Sequence, residues 1–430
     1  MGLSVGIVGA GFAGCAAALG LARDGAQVTL YEAVEKPGPV GAGILLQPTG
    51  AAVLQRLGVY DFVQSRGAPV RGLRGRRSTG EFLFELPYAL EREDLTGLGL
   101  HRGVLFQALF DGVQLRTAID VKLGVAVVDA LPGGRLVDAK GRTHGPHDLL
   151  VVADGARSQI RTARFPGRLD KPYPWGALWF VAEDPGGAFP DTLEQIVQGA
   201  DHMLGFLPSG RGPIRDDDPT DDPPLTSMFW STRVDREAEW RNEVRRRGLQ
   251  PWKDTILRFE PRAEPLLAQI HDHQQVLFAA YRDVRMASYW HEYDGAHVVF
   301  IGDAAHAMSP QLGQGSNLAL IDAEVLAQEL ARGVDVGTAL AAYQKARSEH
   351  LGYYGWINRA ITPFFQSSSA VTGWVRDLAF PMARFIPGAR RLMVQTMAGM
   401  KRGLFFGKPL DLPTKRLPAS TTEEQHSEEE

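Results

Sequence analysis

The strongest constraint on the fold of this chain lies in its first thirty-two residues. Val5-Gly6-Ile7-Val8 is a short β-branched run, Gly9-x-Gly11-x-x-Gly14 follows at once, Cys15 to Asp24 is helix-forming, and Gly25 stops that helix. Gln27 to Tyr31 then reads as a second strand that ends in Glu32. A right-handed crossover makes the two strands parallel, which gives a Rossmann-like βαβ unit. In such a turn the first glycine permits a tight bend, the second lets backbone approach a pyrophosphate, and the third lets helix and strand pack closely. Glu32 is placed at a strand end to accept hydrogen bonds from an adenosine ribose. The pattern points to a bound dinucleotide, against the plainer reading of a glycine-rich turn with no ligand.

Beyond this unit the pattern changes. Alternation in Glu81 to Leu86 suggests antiparallel hairpins between Leu73 and Leu100, followed by a helix over 102–110. Strands are expected over 115–118, 125–130 and 135–138, then an apolar strand over 148–153 that Asp154-Gly155 ends. Residues 171–275 are rich in Pro, Trp and short strand-like runs, with a solvated acidic loop over 216–224. Val298 to Ile301 is again a buried-strand signal, and a long helix starts at Asn317. The expected architecture is α/β: a Rossmann-like, discontinuous nucleotide domain (1–72, 101–170 and 276–345) interrupted by a mostly antiparallel substrate-binding sheet (73–100 and 171–275). A helical C-terminal region (346–416) and a disordered tail (417–430) follow.

Composition excludes several classes. With 46 basic and 50 acidic residues, a net charge of −4, there is no basic field for a nucleic acid. The single cysteine, Cys15, cannot form an intramolecular disulfide, and no run reaches the ~18 apolar residues of a spanning helix. Met1 to Ser4 lacks a signal peptide's basic start, so the expected address is cytoplasmic. Among eleven histidines only His271-Asp272-His273 clusters, in a polar stretch, and no metal is expected.

Two later motifs specify the dinucleotide. Asp154-Gly155-Ala156-Arg157-Ser158-Gln159-Ile160-Arg161 follows one strand, and Gly302-Asp303-Ala304-Ala305-His306 follows another and continues into Pro310-Gln311-Leu312-Gly313-Gln314-Gly315-Ser316-Asn317. Together with the glycine motif, Gly41-Ala42-Gly43-Ile44 and Arg102, they closely resemble the class A flavoprotein monooxygenases of the para-hydroxybenzoate and salicylate hydroxylase type, from Val5 to about Arg347. The resemblance implies FAD as cofactor, NADH or NADPH as co-substrate, and transfer of one oxygen atom of O2 to an aromatic or heteroaromatic small molecule through a C4a-hydroperoxyflavin. It places FAD against Gly9, Gly11, Ala13, Gly14, Glu32, Gly43, Ile44, Arg102, Asp154, Asp303, Gly313, Gly315, Ser316 and Asn317, and it turns the Pro310 carbonyl to substrate and flavin edge. Asp154 could instead cap the following helix, and Pro310 could simply shape its loop. The chain departs from the family at Ala33, where Arg is usual, which puts one adenosine contact in doubt, and at Thr49, where Asn is usual. NAD(P)H is expected to bind transiently, since no second glycine motif is present.

The substrate pocket is read from the run Gln195 to Pro208. Alternation puts His202, Leu204 and Phe206 on one face and Met203, Gly205 and Leu207 on the other, and one face should line the pocket. His202, Leu204, Met228 and Trp230 are the candidates. His101 is expected beside Arg102 on the cofactor wall. The aromatic stretch after Tyr343, with Arg376, Arg384, Arg390 and Arg391, fits helices packed on the flavin domain better than peripheral contact with an anionic membrane. The base rate for soluble oligomers favours a homodimer. Rivals are a halogenase or polyprenyl reductase of the same fold, although Gly355-Trp356-Ile357-Asn358-Arg359 lacks the halogenase's second tryptophan, and a non-catalytic flavin-binding protein.

Overall fold

The computed structural model describes residues 2–39, 41–214 and 222–403. The expected tail over 417–430, the residues after 403 of the C-terminal region and most of the acidic loop lie outside the described residues.

Val5, Ile7, Leu30, Leu149 to Val152 and Val298 to Ile301 are wholly enclosed, as strands covered on both faces must be. They build a six-stranded sheet in the order Trp290–Tyr293, Ala296–Phe300, Leu149–Val152, Ser4–Val8, Gln27–Tyr31, Ile119–Lys122, in which only the first strand runs antiparallel to its neighbour. Helices Phe12–Arg23 and Gly315–Leu330 meet so closely that a Cβ on Gly20 would lie 3.1 Å from that of Ala327.

A second sheet has seven strands in the order Leu277–Arg285, Leu169–Glu183, Leu225–Arg233, His202–Gly210, Thr192–Gln198, Gly72–Arg77, Phe82–Pro87. All its pairs are antiparallel except Thr192–Gln198 with Gly72–Arg77. Both of its faces are buried. On one face Leu178, Leu204, Met228 and Trp230 pack with Trp252, Ile256 and Leu266 of the helical segment 237–268. On the other, Phe84, Met203 and Phe229 pack with Phe365, Val394 and Met397 of the C-terminal region.

Four boundaries differ from the sequence reading. Leu277–Arg285, assigned above to the nucleotide domain, is an edge strand of the seven-stranded sheet, because it pairs with Leu169–Glu183. Gly97–His101, assigned to the substrate-binding part, pairs instead with Gly43–Leu46 and Ala68–Val70 in a small sheet of its own. The strand expected over 115–118 is absent: the helix runs Arg102–Gln114 and leaves Leu115 82% exposed before the strand Ile119–Lys122. Helix Val336–Ile361 crosses the expected border at 346 without a break.

Residues 351–354 pack into the nucleotide-domain core as preferred, but the later helices pack on the seven-stranded sheet instead of the flavin domain, and three of the four arginines weighed for a membrane surface are bound within the protein. Arg376 is fully buried and donates to the carbonyls of Gly199 and Phe364, Arg390 donates to that of Glu85, and Arg391 pairs with Glu91 at 2.7 Å. The outer face still exposes Trp374, Leu378, Phe385 and Ile386. No helix among the described residues is long and apolar enough to cross a membrane.

Candidate active site

Each glycine of the first motif meets a different demand. Gly9 has φ +100° and a Cβ there would lie 2.6 Å from the Ala153 carbonyl oxygen, while a Cβ on Gly14 would lie 1.9 Å from the oxygen of Gly9. Both are required by the protein's own packing. Gly11 is not: its φ is −74°, and nothing stands within 4 Å of where its Cβ would be. That open space is part of a cavity of about 1170 Å³.

The cavity gathers loops from distant parts of the chain. Gly11 and Ala13, Gly43 and Ile44, Arg102, Asp303, Pro310, Gly313, Gly315 and Ser316 all stand on its wall, as does Arg157. Arg102 fits there because Gly41, at φ +122°, has no side chain: a Cβ would lie 2.9 Å from the arginine Cδ. The guanidinium rests 5.2 Å from the centre of the Phe12 ring. His101, expected on the same wall, instead caps the helix by accepting from the Gly103 amide at 3.1 Å, and it is not on the wall.

Five expected cofactor residues are not on the wall: Gly9, Gly14, Glu32, Asp154 and Asn317. Glu32 accepts the amides of Ala10 at 2.8 Å and Val34 at 2.9 Å, so it fixes the turn before the helix. Asn317 accepts the Gln47 amide at 2.8 Å and donates to the Leu45 carbonyl at 3.2 Å, tying its helix to the strand Gly43–Leu46. Ser158 is the helix cap, accepting from the Arg161 amide, and the Asp154 carboxylate braces the same helix start through the Ser158 hydroxyl and the Gln159 amide. Asp154 Oδ1 is buried without a hydrogen-bond partner, and burial pushes its carboxyl up to about 6. Thr49, a departure from the family, donates to the Ala398 carbonyl at 3.1 Å and tethers the C-terminal segment.

Two buried clamps hold the motif loops; the sequence placed Arg161 and His306 in those motifs but did not announce their partners. Fully buried Arg161 donates to the carbonyls of Ala304 and Ala156, both at 2.7 Å, and pairs with Asp170 at 2.9 Å, joining the DG and GD loops. Asp322 accepts the Gly302 amide at 2.7 Å and bonds His306 at 2.5 Å and Arg347 at 2.6 Å. Burial alone would raise its pKa, but His306 and Arg347 outweigh that and hold the carboxyl down to about 2. Arg347 in turn contacts His350, which burial and that cation keep well below the usual imidazole range.

The opposite wall comes from the seven-stranded sheet, and here the face chosen from sequence is the wrong one. His202, Leu204, Met228 and Trp230 are absent from the cavity wall. His202 pairs with Asp201 at 3.0 Å beside the Trp230 ring, and Trp230 stacks on Phe259 at 5.7 Å. Met203, Leu207 and Phe229 line the cavity instead. A usable signal was the mid-strand glycines, which mark a close approach. A Cβ on Gly75, Gly176 or Gly205 would lie 2.1–2.5 Å from the ring of Phe84, Phe278 or Phe229 respectively, and all three rings are on the wall. Trp179, Gln195, Ser231, Tyr281 and Gln366 were also missed.

The FAD binding domain family matches residues 2–351. The chain belongs to that family. This FAD binding domain protein is 29% identical over 356 residues to the putative FAD-dependent monooxygenase YetM of Bacillus subtilis (strain 168), covering 80% of this chain and 88% of the relative. It is 28% identical over 406 residues to the 2-heptyl-3-hydroxy-4(1H)-quinolone synthase of Pseudomonas aeruginosa, covering 90% and 96%. Its fold matches that of 2-methyl-3-hydroxypyridine-5-carboxylic acid oxygenase, solved in a tetrameric form, with a TM-score of 0.73 and 21% identity over 93% of this chain and 97% of the other. The resemblance carried by the motifs thus agrees with both the family and the names of its relatives.

Proposed function

We propose that the chain is a single-component FAD-dependent monooxygenase, which uses NADH or NADPH and O2 to insert one oxygen atom into an aromatic or heteroaromatic small molecule. The observation that carries this reading is the continuity of the cavity: the motif loops, the apolar sheet face and Pro310 all line one and the same space.

The residues present fit FAD. Gly11 leaves open space that no internal contact uses, and Asp303 and Arg102 are exposed and stand on the cavity wall. On this reading Gly11 admits the pyrophosphate, Arg102 meets phosphate or ribose, and Asp303 accepts a hydroxyl of the ribityl chain. Bound there, FAD would supply hydride acceptance and dioxygen activation. The protein contributes position, dryness and electrostatics. Gly313, at φ +60°, turns the chain into helix Gly315–Leu330, whose first amides favour negative charge. Tyr281 and Tyr353, the tyrosines on the wall, are pushed up by burial, Tyr281 to about 12, so at neutral pH they are hydrogen-bond donors rather than bases. The Pro310 carbonyl accepts the Gly313 amide at 2.9 Å and so shapes its loop; on this reading its remaining lone pair faces the substrate.

The test is the visible spectrum of the purified protein, then rapid-mixing reduction by NADH and by NADPH with a panel of phenols, aromatic acids and heteroaromatic rings. A yellow protein whose reduction one ring class accelerates supports the proposal. A colourless protein that FAD cannot reconstitute overturns it, and bound flavin that neither nicotinamide reduces moves the reading to a binding protein.

A further inference from the structure

Charge is distributed unevenly over the cavity wall. Of the described residues that line it, only Arg102, Arg157 and Asp303 are charged, and all three belong to the motif loops at the cofactor end. The opposite end is walled by side chains such as Leu73, Leu86, Leu193, Met203, Phe229 and Met393. A carboxylate placed there would give up its hydration with no cation to meet it.

The polar groups at that end are neutral and offer donors. Gln47 is fully buried on the wall; its Oε1 accepts the Tyr88 hydroxyl at 2.5 Å, while its Nε2 has no partner. Gln366 accepts from Tyr173 and donates to the Ser231 oxygen, both at 2.8 Å, which leaves the Ser231 proton available. An unpaired amide N–H and a hydroxyl suit a carbonyl or ring oxygen.

The apolar wall also continues outward. It follows Met397 and Met393 of helix Ala389–Met397 to Leu392, which is 42% exposed. Methionine, with its flexible thioether, moulds itself to apolar groups of varied shape. A single small ring at the sheet would leave this lining without a partner.

We propose, on the reading of the cavity given above, that the substrate is an uncharged, carbonyl-bearing ring with an apolar chain several carbons long, the ring lying near Gln47 and Ser231 and the chain along helix Ala389–Met397. An aromatic acid would find no cation at that end among the described residues.

The experiment measures equilibrium binding to the flavin-loaded protein by calorimetry and by perturbation of the flavin spectrum. The probes are 4-quinolones with 2-alkyl chains of one, three, five and seven carbons, and a matched series ending in a carboxylate. Affinity is expected to rise about threefold to fourfold per methylene in the neutral series, with the carboxylates on the order of 100-fold weaker. A flat neutral series, or carboxylates that bind equally well, overturns the inference. Met393→Arg, at a half-buried wall position, should weaken the longest neutral probe about tenfold or more and favour its carboxylate partner; Leu193→Arg on the sheet is the second variant should the first fail to fold. Neither variant altering the preference likewise overturns it. Chain-dependent binding without ring-stimulated NAD(P)H consumption would support this pocket while removing the monooxygenase reading. Turnover of aromatic acids alone would do the reverse.

Discussion

The two ends of the cavity are built on different principles. At the cofactor end, loops that leave parallel strands are fixed by backbone demands and by buried charge: Gly9 and Gly14 have no room for a side chain, and Arg161 and Asp322 bond directly to loop backbone. At the substrate end, a sheet covered on both faces presents whichever side chains its register turns inward. Substitutions at the first end should therefore act through loop geometry and charge, and those at the second through shape.

The largest expected effect is at a charge clamp. Arg347→Ala leaves buried Asp322 with only the His306 imidazole and the Gly302 amide, and denaturant unfolding should show a loss of about 3–5 kcal/mol. A loss below 1 kcal/mol would mean that the clamp is not what holds the GD loop.

Next comes a pair of neighbours that separates the two faces of the sheet. Met203→Ala and Leu204→Ala should each cost about 2–5 kcal/mol of stability, because both side chains are buried. Only Met203→Ala should also change ligand affinity. Equal effects of both variants on binding would erase the distinction between the faces.

Two carboxylates at the cofactor end respond to pH with opposite signs. The raised pKa of Asp154, about 6 against an ordinary ~3.9, means that the folded state loses stability as pH rises from about 4 through 6. Asp154→Asn should therefore gain about 1–3 kcal/mol at pH 8 and nothing at pH 4, read from unfolding curves of the apoprotein. Asp322, held down to about 2, contributes stability that is present above the ordinary carboxylate range and is lost as pH falls from about 4 toward 2.

The smallest effect on stability should accompany the clearest effect on cofactor. Gly11→Ala meets no neighbour and should shift stability by less than about 0.5 kcal/mol, yet flavin content should fall sharply. Full flavin retention would show that the open space at Gly11 is not where the pyrophosphate approaches.

The cofactor end was largely legible because its chemistry is local. A tight turn, a close helix and a strand-end carboxylate each need particular residues at fixed spacing, so Gly9, Gly14 and Glu32 signal themselves even though they brace the site from behind its wall. Nine of the fourteen cofactor residues named from motifs stand on the cavity wall, but no local pattern says what Arg161 or Arg347 will bond. Each looks like an ordinary helical arginine until the fold brings Ala304 or Asp322 beside it.

The substrate end was legible only as alternation. Period-two patterning assigns Met203 and Leu204 to opposite faces but does not say which is inward when helices cover both. Strand Leu277–Arg285 was missed as a member of this sheet for a related reason: its partner, Leu169–Glu183, lies about a hundred residues earlier, and no local pattern records that pairing.

The sequence by itself determined the nucleotide-binding βαβ unit, the family and the loops that would hold FAD, because steric demands on backbone are met residue by residue. The tertiary structure alone decided which face of the second sheet became the wall, that no described residue of the wall is charged there, and that helix Ala389–Met397 extends it outward. Those properties arise from contacts between segments hundreds of residues apart, and packing, not spacing, selects them.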